Sequence, residues 1–373
     1  MSVHERKEGE SFEEWLLVEL NQAYLEARRG KRKTLGESQF EVNEIENLIN
    51  LKDAIINRTF EPGRGTAFVS KKPVFREIFT APFRDRIVHH FLVNVSEEFW
   101  DKHLIHDTYA CRAEKGTWFG IRRAEKNIRR VSNNFTKEAF VIKLDVQAYF
   151  VSLSRKKVFG KVLWGLQKQF PNGGELFRTA KFLWEKIIFD DPVEGVTRKG
   201  SPRDWRKIPK SKSLFFQPKG TGLVVGNLTS QFAANIFLDD LDRFITDELG
   251  YKNYGRFVDD FYIIVPKEEL EEAKNDVTKI EAFLKSMGLT LHPRKKYIQN
   301  IRKGLPFLGA VIYPGRVVPG KRAKAGFKQA VQEVSAGEKS EQSVLSYLGF
   351  MKNLNGRKAT KKIFLEVGWD YEI

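Results

Sequence analysis

The sequence predicts an α+β fold, because short β-type runs alternate with longer segments of helical period. The β-type runs are apolar and lie at 139–144, 256–258 and 261–265. Their β-branched and aromatic residues favour strands. The helical segments at 85–100, 232–245 and 268–287 have apolar residues that recur on one side. With 373 residues, 41% of them apolar, the chain is long enough for one large mixed domain or for two or three subdomains around a continuous core.

The N-terminal part, residues 1–66, is predicted to be a helical region with a basic edge. A cluster of Lys and Arg at 28–33 is followed by apolar residues at roughly helical spacing up to Ile56. The next stretch, from Phe68 to Ile78, has an extended pattern, and the segment after Pro82 becomes amphipathic. We therefore expect a strand and then a helix.

The central part is predicted to place acidic residues at strand ends. The run at 139–144 ends at Asp145, and Asp259 and Asp260 separate two apolar runs, which is typical of a tight hairpin. A helix at 268–287 should lead to a strand pair near 307–318, and the remainder is helical and basic. Residues 198–219 hold eight Lys or Arg and one Asp, and this basic insertion is either a solvated loop or a nucleic-acid contact.

The charge of the chain favours a polyanionic partner. Its 64 Lys and Arg exceed its 48 Asp and Glu, for a formal charge of +16. Nucleic acid is the leading candidate for this partner. Alternatively, the protein is merely soluble and basic, or it docks on anionic lipid. Cys111 is the single cysteine, which excludes an intrachain disulfide. With no apolar run of membrane-spanning length, we expect a cytoplasmic protein without a membrane partner.

Acidic residues that are distant in the sequence but lie at strand ends suit nucleotidyl transfer. That reaction uses two divalent ions, which prefer hard oxygen ligands, and aspartates on neighbouring strands would provide them. Pairing the strand before Asp145 with the hairpin would gather Asp145, Asp259 and Asp260 at one sheet edge. An acidic hairpin tip considered alone is more often a simple turn.

The order of several motifs resembles that of reverse transcriptases. The motifs are LDVQAYF (144–150), GLVVGNLTSQFAANIF (222–237), RFVDDFYIIV (256–265), LTLHPRKK (289–296) and FLG (307–309). Segments 76–90 and 109–117 resemble the fingers of bacterial enzymes, and 346–355 resembles their thumb. The bacterial enzymes of diversity-generating retroelements and of defence-associated (unknown group) systems are the most similar, and group II intron enzymes are more distant.

This resemblance implies a right-hand polymerase with fingers, a ferredoxin-like palm and a helical thumb. Fingers and palm would occupy 67–318 and the thumb 319–373. The implied catalytic residues are Asp145, Asp259, Asp260 and Lys295, although Arg294 or Lys296 could take the place of Lys295. The implied metal site, for two Mg²⁺ ions that Mn²⁺ could replace, comprises Asp145, Val146, Asp259 and Asp260.

The resemblance also implies a set of substrate-binding residues. Phe150 would block a ribose 2′-hydroxyl, and considered alone it would be a core aromatic. Gly226, Ser230 and Gln231 would pack under the nascent base pair, although the glycine also suits a simple turn. Arg76, Lys72 and Arg112 would face the incoming triphosphate, and each could otherwise be a surface charge.

The resemblance implies an RNA-directed DNA polymerase with an RNA template or noncoding RNA, deoxynucleotide triphosphates and a DNA product. An accessory protein or second polymerase subunit is a further expected partner. The chain departs from the family pattern at Phe257, where tyrosine is usual, and at Val224 and Val151. One alternative is a defence polymerase that copies a dedicated noncoding RNA or uses little template, and another is a non-catalytic RNA-binding scaffold.

Overall fold

The computed structural model describes residues 3–31, 34–71 and 74–369. These residues form fifteen α-helices: α1 (Phe12–Ala27), α2 (Leu35–Val42), α3 (Glu44–Ile56), α4 (Phe83–His103), α5 (Thr117–Val131), α6 (Tyr149–Ser152), α7 (Arg155–Gln169), α8 (Glu175–Phe189), α9 (Pro202–Trp205), α10 (Leu228–Phe237), α11 (Asp239–Arg243), α12 (Leu270–Ser286), α13 (Lys321–Ser335), α14 (Gln342–Lys352) and α15 (Arg357–Val367). The ten strands are β1 (Thr66–Ser70), β2 (Arg76–Thr80), β3 (Ala139–Asp145), β4 (Thr197–Arg198), β5 (Tyr254–Phe257), β6 (Asp260–Pro266), β7 (Tyr297–Asn300), β8 (Leu305–Phe307), β9 (Ala310–Tyr313) and β10 (Arg316–Pro319). This mixture confirms the α+β prediction.

The chain divides into two compact units. The first comprises Met1–His106, Gln147–Asp242 and Leu284–Thr290, and the second comprises Asp107–Val146, Arg243–Phe283 and Leu291–Ile373. Within the described parts of the chain, no helix combines the length and the apolar character needed to cross a membrane.

The first unit contains a helical region and a small sheet. Helix α1 packs against α4 and α3, and it begins at a capping box in which Ser11 and Glu14 satisfy each other's backbone N–H groups. The sheet has the order β2-β1-β4, with β1 and β2 antiparallel and β4 parallel to β1. Buried apolar side chains under this sheet include Ala67, Phe79 and Val224.

The second unit contains an antiparallel sheet with the order β5-β6-β3-β7. In chain order these strands are the second, third, first and fourth of the sheet, which is the strand order of a ferredoxin-like fold. Helix α5 packs on β5 and β6. The core on this side of the sheet includes Tyr109, Ile128, Val141 and Tyr262. The sequence places alternate β3 residues on this core, because side chains along a strand point to opposite faces.

The C-terminal helices α13, α14 and α15 pack on one another around Phe327, Val331 and Phe364, all of which are buried. A second small sheet with the order β10-β9-β8 precedes them. The boundaries drawn at residues 66 and 318, and the thumb role of 319–373, stay predictions.

Some elements differ from the sequence-based expectations. The extended stretch at 68–78 is divided between two antiparallel strands, β1 and β2, and the strand pair near 307–318 is a three-stranded sheet. Residues 198–219 are not simply a loop, because their first residue belongs to β4 and they include the short helix α9. An extended pattern without a clear turn signal does not distinguish one long strand from two short paired strands.

Candidate active site

The three predicted catalytic acids lie at the same end of the sheet in the second unit. Strands β3 and β6 are antiparallel, so the end of β3 meets the beginning of β6, and Asp145 is the register partner of Asp260. Directly after β3, the backbone N–H of Val146 donates to the carbonyl oxygen of Asp259 at 3.1 Å. Residues more than a hundred positions apart in the sequence are therefore neighbours, as the strand pattern predicts.

The turn that carries Asp259 has a strained backbone. Val258 has a φ of 57°, and this left-handed conformation is unfavourable for a β-branched residue. Arg256, whose side chain is fully buried, donates from Nη1 to the carbonyl oxygen of Val258 at 2.9 Å. This hydrogen bond from the buried guanidinium supports the turn, and the strained residue directly precedes Asp259.

The acids influence one another electrostatically. Burial and the negative charge of Asp145 raise the pKa of Asp259 to about 7. The pKa of Asp260 is also raised, mainly by burial, although the ammonium of Lys143 opposes the shift. Desolvation and like charges both disfavour an additional anion. The three carboxyl groups therefore carry more negative charge than the neighbouring cations neutralise.

Two lysines contact the acids. Lys295 lies with Nζ at 2.8 Å from both carboxylate oxygens of Asp145. Of the three neighbouring basic residues 294–296, Lys295 is the one whose ammonium contacts the acids. Lys296 pairs with Glu281. Lys143 Nζ lies 2.5 Å from Oδ1 of Asp260.

Lys143 was not among the residues selected from the sequence. A signal was available, because Lys143 precedes Asp145 by two positions in the same strand. Residues at this spacing lie on the same face of a strand. A lysine and an acid on one face near a strand end therefore indicate a shared polar site.

The donor set fits divalent cations of the magnesium type. Within the described ranges, no group of three or more His, Cys, Asp or Glu side chains is arranged to hold a metal ion by itself. Magnesium, however, is usually bound through one or two carboxylates together with substrate phosphates and water. The charge of Asp145 raises the pKa of Asp259, so these two carboxylates lie close enough to form this pair. Asp145 is paired with Lys295 and Asp260 with Lys143. Direct metal contacts from Asp260 and Val146 stay predictions.

The glycine-containing segment predicted to lie under the nascent base pair belongs to the first unit. Gly226 has a φ of +131°, and a Cβ atom built there would lie 2.1 Å from the carbonyl oxygen of Phe79 in β2. Only glycine permits this approach of two backbones. Ser230 is buried in the first turn of α10, and Gln231 follows it, partly exposed.

Phe150 is also in the first unit, in the short helix α6. Its ring is partly exposed and makes an edge contact with Tyr149 at a centroid distance of 5.8 Å. Tyr149 is buried, and its hydroxyl donates to the carbonyl oxygen of Ala234 at 2.6 Å. Phe150 is therefore a partly exposed ring on a fixed support rather than a core aromatic.

The predicted triphosphate contacts lie in different units. Arg76 is the exposed first residue of β2 in the first unit. Arg112, in the second unit, donates from Nη1 to the hydroxyl of Thr108 at 2.8 Å. Lys72 lies outside the described residues. A phosphate-binding role for these three residues stays a prediction.

The strand order of the sheet and the acids at its end agree with the polymerase class that the motifs indicate. Residues 69–350 match the family model described as reverse transcriptase (RNA-dependent DNA polymerase). The chain therefore belongs to the reverse transcriptase family.

Comparison with individual proteins adds less. No curated protein matches the chain. A solved structure of telomerase from Candida albicans, in complex with a TWJ fragment of telomeric RNA, is 13% identical, with a TM-score of 0.45. The match covers 84% of this chain and 57% of the telomerase chain. The chain thus spans little more than half the length of that relative.

Proposed function

We propose that this chain synthesises DNA on an RNA template by in-line attack of a primer 3′-hydroxyl on a deoxynucleotide triphosphate. The observation that carries the proposal is the antiparallel register of β3 and β6, which brings Asp145 beside Asp259 and Asp260 within the region matched to the family. Coupled carboxylates on a rigid sheet are the arrangement that two-metal nucleotidyl transfer requires.

The site residues have separable roles in this proposal. Asp145 and Asp259 hold the divalent ions, which when bound would activate the primer hydroxyl and stabilise charge on the leaving pyrophosphate. Lys143 keeps Asp260 in place through its ammonium group. Lys295, already beside Asp145, places a proton donor near the acids, where the leaving pyrophosphate needs one.

Single replacement of the two proposed ligands tests the function. We expect Asp145→Ala and Asp259→Ala each to lower incorporation of labelled dTTP on poly(rA)/oligo(dT) with Mg²⁺ by about a thousandfold, because a metal contributes several kcal/mol of transition-state stabilisation. Asp247→Ala is the matched control, since its side chain is 61% exposed and lies in the same unit. Full incorporation by both ligand variants would show that Asp145 and Asp259 are not the metal ligands, and no incorporation by the wild type would contradict the polymerase function.

The biological setting is proposed from the motif resemblance alone. We propose a bacterial diversity-generating retroelement or an antiphage defence system, with an RNA template or dedicated noncoding RNA and an accessory protein or second polymerase subunit. Sequencing of DNA made by the protein purified with its bound RNA tests template use. DNA complementary to the copurified RNA is the expected product, and DNA without any complement would contradict templated synthesis. A neighbouring helical accessory gene with paired repeats supports the retroelement, and a noncoding RNA or second polymerase gene supports defence.

A further inference from the structure

The basic insertion, residues 198–219, is fixed to the sheet of the first unit. Its first residue belongs to β4, and the backbone N–H of Lys199 donates to the carbonyl oxygen of Ala67 in β1 at 2.8 Å. Further along, the N–H of Leu214 donates to Oε2 of Glu77 at 2.8 Å, and Glu77 is buried in β2. The insertion is therefore a built surface rather than a detached loop.

The cations of this surface lie over aromatic rings. The guanidinium of Arg198 is 3.6 Å from the ring centroid of Phe215 and also lies over Trp205 at 5.6 Å. The ammonium of Lys210 is 5.3 Å from the ring of Phe216, which is 60% exposed. Such cation–π contacts order flexible basic side chains and leave ring area open to a further planar group.

The charge of the basic insertion is almost entirely positive. All eight of its Lys and Arg residues are exposed. Its single acid, Asp204, is in contact with Lys71 at 2.8 Å and with Lys207 at 3.7 Å. Exposed cations together with an exposed phenyl ring match a polyanion that also presents flat apolar groups.

We propose that the basic insertion binds single-stranded nucleic acid, with phosphates on its lysines and arginines and a base stacked on Phe216. Unpaired bases stack on aromatic side chains, whereas a duplex keeps its bases covered. A lipid surface would require a long apolar helix face, and α9 has only four residues. The proposal goes beyond the polymerase function and does not depend on it, because this binding requires neither metal nor nucleotide.

A comparison of two triple variants tests the charge contribution. Arg206, Lys210 and Lys212 are exchanged for Gln in one variant, and Lys156, Lys168 and Lys181, exposed residues of α7 and α8 in the same unit, are exchanged in the matched control. Affinity for a fluorescein-labelled 12-nucleotide RNA is measured by anisotropy in EDTA at several KCl concentrations. We expect the log–log salt slope of the insertion variant to fall by about 2, since each phosphate contact to a single strand contributes about 0.7. The control should keep the wild-type slope, and equal losses in both variants would overturn the proposal.

Replacement of the ring tests the stacking contribution. We expect Phe216→Ala and Phe216→Leu each to weaken binding of the RNA about fivefold or more, with little effect on a 12-base-pair duplex RNA. The leucine variant retains apolar area but has no aromatic ring, so a loss of RNA affinity in this variant identifies stacking. Unchanged RNA affinity in both variants, or equal weakening of duplex binding, would overturn the single-strand proposal.

The source of the strand is resolved with a second probe. A DNA oligonucleotide of the same sequence is compared with the RNA. If the insertion variants lose affinity for the RNA only, the insertion binds the RNA strand. If they lose affinity for RNA and DNA equally, it binds either single strand, and both results agree with the proposal. All binding is measured in EDTA without nucleotide, where no incorporation occurs, so failure of this proposal is distinguishable from failure of the polymerase function.

Discussion

At the scale of single residues, Phe150 offers a sharp test of substrate choice. Its ring is partly exposed and supported by the buried Tyr149, as a steric barrier to a ribose 2′-hydroxyl requires. We expect Phe150→Ala to raise incorporation of UTP relative to dTTP about tenfold, a change of about 1.4 kcal/mol in discrimination, because the ring would no longer exclude the 2′-hydroxyl. Primer extension with each nucleotide measures this ratio.

Tyr149→Phe is the control for Phe150→Ala. It removes the hydroxyl that donates to the carbonyl oxygen of Ala234 but keeps the aromatic support. We expect reduced stability and unchanged sugar discrimination. If Phe150→Ala discriminates as well as the wild type, another residue excludes the ribose.

His89 gives a prediction for stability against pH. Burial, followed by the nearby charges of His90 and Arg86, lowers the pKa of this histidine to about 3, far below the value of about 6.5 in an unfolded chain. In acid, His89 therefore binds a proton in the unfolded state but not in the folded state. The free energy of unfolding falls as pH decreases. Relative to His89→Gln, the wild type should lose about 1.4 kcal/mol of unfolding free energy per pH unit between about 6 and 4.

The measurement for His89 is urea unfolding of both proteins at several pH values. Above about pH 7.5 histidine is neutral in both states, so the difference between the two proteins should be constant there. Parallel curves across the acid range would show that His89 is protonated in the folded state.

The acids of the site and Lys295 were selected from the sequence, whereas Lys143 and Arg256 were not. Asp145 ends an apolar run and Asp259 lies between two others, and the order of the surrounding motifs distinguishes these acids from those of a simple turn. The contacts of Lys143 with Asp260 and of Arg256 with Val258 depend on strand register and on a strained turn. Neither register nor turn strain is visible before the strands are paired.

At the scale of elements, the close approach of the Gly226 segment to β2 can be tested with two glycines. Both Gly226 and Gly220 have positive φ, but a Cβ atom meets the carbonyl oxygen of Phe79 only at Gly226 and has nothing within 4 Å at Gly220. We expect Gly220→Ala to cost about 1 kcal/mol, from backbone strain alone. Gly226→Ala should cost about 3 kcal/mol, since the two backbones must also separate.

Thermal and urea unfolding compare the two alanine variants. Equal destabilisation would mean that β2 moves away from residue 226 without cost. A larger loss at Gly226 would show that this segment and β2 form one rigid element, as the hydrogen bond from the N–H of Phe79 to the carbonyl oxygen of Val225 also indicates.

The elements themselves were only partly predictable. Strands β3, β5 and β6 are apolar runs with clear ends, and they were assigned from the sequence. Helix α5 was not assigned, although Ile121, Ala124 and Ile128 recur at helical spacing and are buried. The parallel pairing of β4 with β1 involves two residues of each strand, too few to leave a periodic signal.

At the scale of the whole molecule, catalysis and nucleic-acid affinity should be separable. Affinity for a polyanion depends on a formal charge of +16 and therefore on salt, whereas catalysis depends on a few carboxylates at one sheet end. Replacement of Asp145 and Asp259 by Asn removes negative charge and makes the protein more basic. In EDTA, we expect this double variant to bind RNA at least as tightly as the wild type, with a parallel decrease in affinity between 50 and 200 mM KCl.

The same double variant should incorporate no deoxynucleotide with Mg²⁺, and its melting temperature should not decrease, because the repulsion that raises the pKa of Asp259 is removed. Anisotropy with a labelled RNA, primer extension and thermal unfolding measure the three properties on one preparation. If the double variant lost RNA affinity together with catalysis, the acids would support the nucleic-acid surface itself. If it kept incorporation, the acids at this sheet end would not be the metal ligands, and the catalytic site would lie elsewhere in the chain.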